Sequence, residues 1–274
     1  MIKNIIKSVC PPVLWKGISK TFSNSPNQNN LIFHANGTVL LPNGILFNFR
    51  PNEELDFVVC NQIFIKKVYD LKWLKRFNEI MNLYENLSNP LIIDLGANIG
   101  ASSVWFASQF PKAKIIALEP EQNNFNLLNK NSKGISSIIP IHGAISSVSG
   151  EVYLNDPNLG PLGFRTSNIP EKNSFTVKSF TIEEILLMEK RGNPFILKVD
   201  IEGAEEDLFS RDSIVFDYFP LIIIELHDWL LPKSGSSKNF LKWHLEKNRD
   251  FIYIGENVFS ISYNFSYSSS SNSC

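Results

Sequence analysis

Between Leu91 and His227 short apolar runs alternate with stretches of helical periodicity. Strands are predicted over 91–95, 114–119, 138–142, 195–201 and 221–227, with helices over 101–109, 122–131, 181–190 and 204–210. Most of these runs are too continuously apolar for a half-exposed sheet and suit strands covered on both faces. Repeated βα units with right-handed crossovers build a parallel sheet. A helix over 238–248 then precedes FIYIGENVFSISY, where Gly255, Glu256 and Asn257 predict a hairpin that adds an antiparallel strand. The fold class expected is therefore α/β, a doubly wound, Rossmann-like, seven-stranded and mostly parallel sheet with an antiparallel C-terminal strand.

Outside that rhythm the pattern changes. LIFHANGTVLLPNGILFNF, residues 31–49, breaks β-rich runs at Asn36-Gly37 and Asn43-Gly44, which predicts a small meander, and two helices fit residues 53–87. Residues 151–177 carry two short strand candidates, 151–154 and 174–177, around a linker rich in Pro, Gly and Asn, expected to pass over the sheet edge or the mouth of a site. The division expected is an N-terminal β/helical extension over 1–87, a catalytic domain over 88–265 and a polar, disordered tail over 266–274.

Composition narrows the partners. With 43% hydrophobic and 19% charged residues in 274, the chain is an ordinary globular protein, and a formal net charge of −1 offers no field for collecting phosphates. No nucleic-acid partner is expected. Three scattered cysteines suggest neither a disulfide framework nor a metal knuckle and point to a reducing, cytoplasmic setting. The opening MIKNIIKSVCPPVLWKGISK is too interrupted to span a bilayer; its lysines allow weak peripheral membrane contact. The β-rich extension leaves room for a homo-oligomer contact or a lid.

The sharpest chemical signal is LIIDLGANIGASSVWFASQF, residues 91–110. A buried strand ends at Asp94, turns through Gly96 and Gly100, and enters a helix, so a ligand can approach the backbone at the carboxyl end of the first strand. Asn98 stands where a pyrophosphate-binding turn would carry its middle glycine, which argues against NAD or FAD. Asp94 suits a cationic cofactor portion. Glu119 ends the next strand 25 residues later, the usual place for a carboxylate that takes ribose hydroxyls. Gly143, Ala144 and Ser146 follow the third strand, where small residues leave room for adenine or pack closely. Glu121 reads as a helix-start acid.

A second group of polar residues closes the later strands. FILKVDIEGAEEDLF places Lys198 and Asp200 on one strand parity with Glu202 just beyond, and IIIELHDW places Glu225 and His227 on another. If the strands are neighbours, Asp200, Glu202, Glu225 and His227 converge as general base, hydroxyl binder or cage for a hard divalent ion such as magnesium or manganese. His227 is the base candidate by its unperturbed pKa, with Glu202, Glu225 and His227 as metal ligands if an ion binds. Glu205 and Glu206 suit a helix first turn, and Trp229 suits an apolar wall or core packing.

Together DLGANIG, IALEP, HGAIS, LKVDIEGAEEDLF and IIIELHD resemble the FkbM family of class I methyltransferases over roughly residues 75–263. The resemblance implies S-adenosylmethionine as cofactor, with Asp94, Gly96 and Gly100 at the loop, Glu119 at the ribose and Ala144 at the adenine; Asn98 and Asp200 are further candidates for cofactor contact. It places Asp200, Glu202 and His227 at the reacting centre. It also implies O-methylation of a small-molecule, sugar or glycan hydroxyl. A nucleic-acid methyltransferase and a non-catalytic cofactor-binding scaffold stay open as alternatives.

Overall fold

A computed structural model of the chain describes residues 31–34, 36–155, 165–167, 169–170, 174–211 and 214–265. The N-terminal lysine-bearing segment and the expected tail lie outside them. Strands β1 (Ile32–His34), β2 (Thr38–Leu40) and β3 (Leu46–Asn48) form the antiparallel meander in that order. Its second turn is closed by the Asn43 carboxamide oxygen, which accepts from the Ile45 amide at 3.2 Å. Helix α1 (Glu54–Cys60) runs on into a π turn over Asn61–Ile65, and α2 (Phe77–Asn86) completes the segment for which two helices were expected.

The main sheet begins with β4 (Pro90–Leu95), α3 (Ala101–Gln109), β5 (Lys114–Glu119), α4 (Gln122–Ser132) and β6 (Ile138–His142). A smaller sheet follows from β7 (Ala144–Ile145), β8 (Gly150–Asn155), β9 (Arg165–Ser167) and β10 (Phe175–Phe180), ordered β7-β10-β8-β9. The chain then returns through α5 (Ile182–Met188), β11 (Asn193–Val199), the single turn α6 (Glu205–Leu208), β12 (Leu221–Glu225), α7 (Lys238–Leu245), β13 (Arg249–Ile254) and β14 (Asn257–Ser262). The seven-stranded sheet runs β13-β14-β12-β11-β4-β5-β6, parallel from β12 to β6, with β14 antiparallel to both of its neighbours.

Alternation along the central strands supplies both cores. Ile92, Ile115, Ile196 and Ile223 face a core shared with α3 and with Val39, Phe47, Phe64 and Tyr69 of the N-terminal segment. Leu91, Ile93, Ile116, Leu197, Ile222 and Ile224 face the opposite core, with Phe216, Phe240 and Trp243. The extension therefore covers one face of the sheet. No helix among the described residues is long and apolar enough to cross a membrane.

Two strand ends differ from expectation. β11 stops at Val199 and β12 at Glu225, so Asp200, Glu202 and His227 sit on the loops that leave the strands. Glu202 and Gly203 take left-handed φ angles of 53° and 101° and swing the chain sharply after β11. Strand parity thus stops short of Asp200 and His227, and the turns set where they point.

Candidate active site

The carboxyl ends of β4, β5, β6 and β11 surround a cleft of about 620 Å³, counting its open mouth. Gly96, Asn98, Glu119, Ala144, Asp200 and Glu202 all line it, and Thr166 of β9 reaches it from the smaller sheet. The excursion over 151–177 thus does reach the mouth, as one side of a folded sheet.

Gly96 is required by close approach. At φ 71° a Cβ there would lie 1.8 Å from the Asp200 carbonyl oxygen, so only glycine lets β4 and β11 end side by side. The Gly96 and Ala97 amides donate to Leu118 O at 3.0 and 2.9 Å, which ties the loop to β5. Asn98 adopts φ 50° and its backbone amide donates to Glu119 Oε2 at 2.8 Å, while its buried Oδ1 has no hydrogen-bond partner among the described residues. Gly100, at φ 89°, lies behind the loop against Leu128. Gly143 borders the cleft, but a Cβ on it would strike the Phe180 ring, so its smallness serves packing on β10. The Ser146 hydroxyl is turned away and donates to Asp207 at 2.8 Å.

Glu119 is 5% exposed, and its carboxylate accepts from the amides of Asn98 and Glu121 and from Asn124 Nδ2 at 2.8, 2.9 and 3.4 Å. Burial pushes its pKa up to about 7 against these donors. Glu121 caps α4, its side chain accepting from the Asn124 amide at 2.7 Å.

Asp94 lies beneath the cleft floor, fully buried. Its Oδ2 accepts from the Ser102 and Ser103 hydroxyls, both at 2.6 Å, and its Oδ1 lies 3.2 Å from Lys198 Nζ. The sheet register sets Lys198 directly beside Asp94. The same ammonium donates to Gly96 O at 2.8 Å and sits 3.5 Å from Asp200 Oδ2. Burial works against this charge, but Asp94 and Asp200 outweigh it and hold Lys198 protonated. Asp94 therefore acts on the cleft through Lys198, which anchors the loop from below.

His227 is 1% exposed. Its Nδ1 meets Glu205 Oε1 at 2.8 Å, and its Nε2 faces Asp200, Glu202 and Glu225 at 3.6, 3.7 and 3.8 Å. Burial lowers its proton affinity, but Glu205 and the other carboxylates reverse this and hold the pKa up to about 10. The surrounding carboxylates thus favour the protonated imidazole, whereas the sequence suggested a base by its ordinary pKa. Glu225 is raised well above the carboxylate range, by burial first and then by Asp200.

Asp200, Glu202 and His227 each present one ligand atom within 4.8 Å of the others, a geometry able to hold a metal ion. The Nδ1 contact to a buried carboxylate is the arrangement that orients a metal-binding histidine, and one imidazole with carboxylate oxygens suits a hard divalent ion. Glu205, expected only as a helix-start acid, is thus an orienting partner of His227. Its contact is to a histidine on the loop after β12, which the sequence could not show before the strands paired. Trp229 is half-exposed and contributes nothing to the core. His142 bonds Pro120 O and stacks near Phe125, while His244 bonds Ser260.

A methyltransferase FkbM domain model matches residues 94–253, more than half of the chain. The chain belongs to the FkbM methyltransferase family. It is an enzyme of S-adenosylmethionine-dependent methyl transfer, as the family's domain implies. Among curated proteins this FkbM chain is similar to the hexuronic acid methyltransferase AglP of Haloferax volcanii, 24% identical over 62% of this chain and 70% of that protein. It is also similar to the methyltransferase sdnD of Sordaria araneosa, 31% identical over 61% of this chain and 62% of that protein. Among solved structures, a precorrin-6y C5,15-methyltransferase from Geobacter metallireducens shares 10% identity over 67% of this chain and 84% of that one. Its TM-score of 0.37 adds nothing to the assignment.

Proposed function

We propose that the chain is an O-methyltransferase that moves the methyl group of S-adenosylmethionine to a hydroxyl of a sugar, glycan or natural product, within the cytoplasm. The observation that carries this reading is the junction of two sites: Asp200 and Glu202 line the cofactor cleft and also face His227. Glu119 would accept the ribose hydroxyls, Ala144 would lie against the adenine, and Gly96 and Asn98 would border the methionine portion.

The sulfonium carries its own leaving group, so the chain's task is to orient an acceptor oxygen and take up its proton. Asp200 and Glu202 are carboxylates suited to accepting from a hydroxyl donor and taking up its proton, while Glu225, its proton affinity raised by burial, lies beside them. With no ion bound, a protonated His227 steadies their charge, with Glu205 fixing its ring. To hold a divalent ion in place of its Nε2 proton, His227 would become neutral and bind it together with Asp200 and Glu202, with Glu225 beside them. Such an ion would acidify a hydroxyl placed on it.

The hydroxyl acceptor class is favoured by this acidic surround, which would repel phosphodiesters, and by the similar curated protein that acts on a hexuronic acid. The test is a methyl-transfer screen over sugars and polyols, with and without magnesium or manganese. Glu202→Gln combined with His227→Ala should abolish turnover and leave cofactor affinity nearly intact. Full turnover by that double variant would overturn the assigned centre, and salt-sensitive methylation of RNA would move the acceptor to nucleic acid.

A further inference from the structure

The N-terminal segment does more than cover the sheet. Arg50, just after β3, is gripped by the buried Asp56 of α1: its backbone amide and Nε donate to Oδ2 at 2.8 and 2.9 Å, and Nη2 donates to Oδ1 at 2.7 Å. The same Nη2 donates to Asn124 Oδ1 at 2.8 Å, and Asn124 Nδ2 reaches Glu119 Oε1 at 3.4 Å. Seven residues on, and so on the same face of α4, Asn131 Oδ1 accepts from the Asn48 amide at 2.8 Å, and its Nδ2 donates to Asn48 O and to Ile99 O, both at 2.8 Å. The extension thus touches α4 at two points, one leading to Glu119 and the other to the glycine loop.

We propose that Arg50 is a positioning residue for cofactor binding, fixing the Asn124 carboxamide so that the N-terminal extension sets how tightly the adenosyl cofactor is held. This rests on the reading of Glu119 as the ribose site. A guanidinium only donates, so the carboxamide must turn its oxygen to Arg50 and its nitrogen to the carboxylate. Without Arg50 the carboxamide oxygen loses its charged donor and the nitrogen is held less firmly toward Glu119, which disfavours the charged carboxylate that the ribose hydroxyls need. The other groups around Glu119 do not replace that donor: the Asn98 and Glu121 amides already donate to the carboxylate, the Glu121 side chain is a like charge, and the ring of His142 is committed to Pro120 O.

Calorimetric titration of the full chain with S-adenosylmethionine between pH 6 and 8.5 tests this on Arg50→Gln, Asn124→Leu, the double variant and Glu119→Ala. Arg50→Gln should weaken binding about tenfold, the worth of one charge-assisted hydrogen bond, and move the pH of half-lost affinity upward. Asn124→Leu should do the same, and the double variant should lose no more than either single one. Unchanged affinity and pH profile in Arg50→Gln, or fully additive losses, would overturn the proposal while leaving Glu119 in place, provided Glu119→Ala loses binding. Wild-type affinity in Glu119→Ala would overturn the ribose site and this proposal together. If Arg50→Gln does not fold, Arg50→Lys carries the same comparison, because it keeps a donor for Asp56 and loses the fork that also reaches Asn124.

Discussion

Affinity for S-adenosylmethionine should fall as pH drops through 7, because the carboxylate that would hold the ribose is buried. Its pKa is raised to about 7, whereas only the ionised form offers both oxygens as strong acceptors to the two ribose hydroxyls. The sign follows: an acid whose ionised form is the binding form loses affinity below its pKa and recovers it above. With a pKa of about 7, the ionised fraction changes by about tenfold between pH 8 and pH 6, or about 1.4 kcal/mol of binding free energy. Near pH 7 each cofactor bound should release about half a proton. Calorimetry in two buffers of different ionisation enthalpy measures both quantities. Glu119→Gln should bind weakly and show little dependence on pH across that window. A flat wild-type profile from pH 6 to pH 8, or tighter binding at the acid end, would refute the reasoning.

Other perturbations probe the remaining parts of the site. Lys198→Met strands Asp94 in the core beside a partly exposed Asp200 and should cost about 3–5 kcal/mol in urea unfolding. Glu205→Gln keeps the size of the side chain that orients His227; it should lower kcat by about 10–100-fold while cofactor affinity stays near wild type in calorimetry. Magnesium or manganese should raise the melting temperature of the wild-type protein, and Asp200→Asn should remove that shift; an equal shift in the variant would place the ion elsewhere. Gly96→Ala drives a Cβ into the Asp200 carbonyl and should abolish cofactor binding.

Much of this protein was legible in its sequence because local physics suffices for local features. The apolar runs at 91–95 and 114–119 could only be covered strands, the Asn-Gly pairs could only turn, and DLGANIG could only be a strand, a tight loop and a helix start. These features, with the family resemblance, fixed the βα order and the cleft at the carboxyl ends. What tertiary structure decided was which charged groups meet. Lys198 and Asp94 are 104 positions apart, and only the register of β11 on β4 makes them partners and buries Asp94 under the loop rather than at its surface. Glu205 looked like any acid at a helix start until the β12 loop laid His227 against it at 2.8 Å. That contact and the Glu202 and Glu225 carboxylates raise the imidazole's proton affinity, whereas its sequence neighbours alone suggested an ordinary base. Arg50 carried no signal at all, since its link to Glu119 runs through α4. Periodicity and turn chemistry are properties of neighbouring residues, whereas the electrostatics of a buried site depend on distances that exist only after the strands have paired.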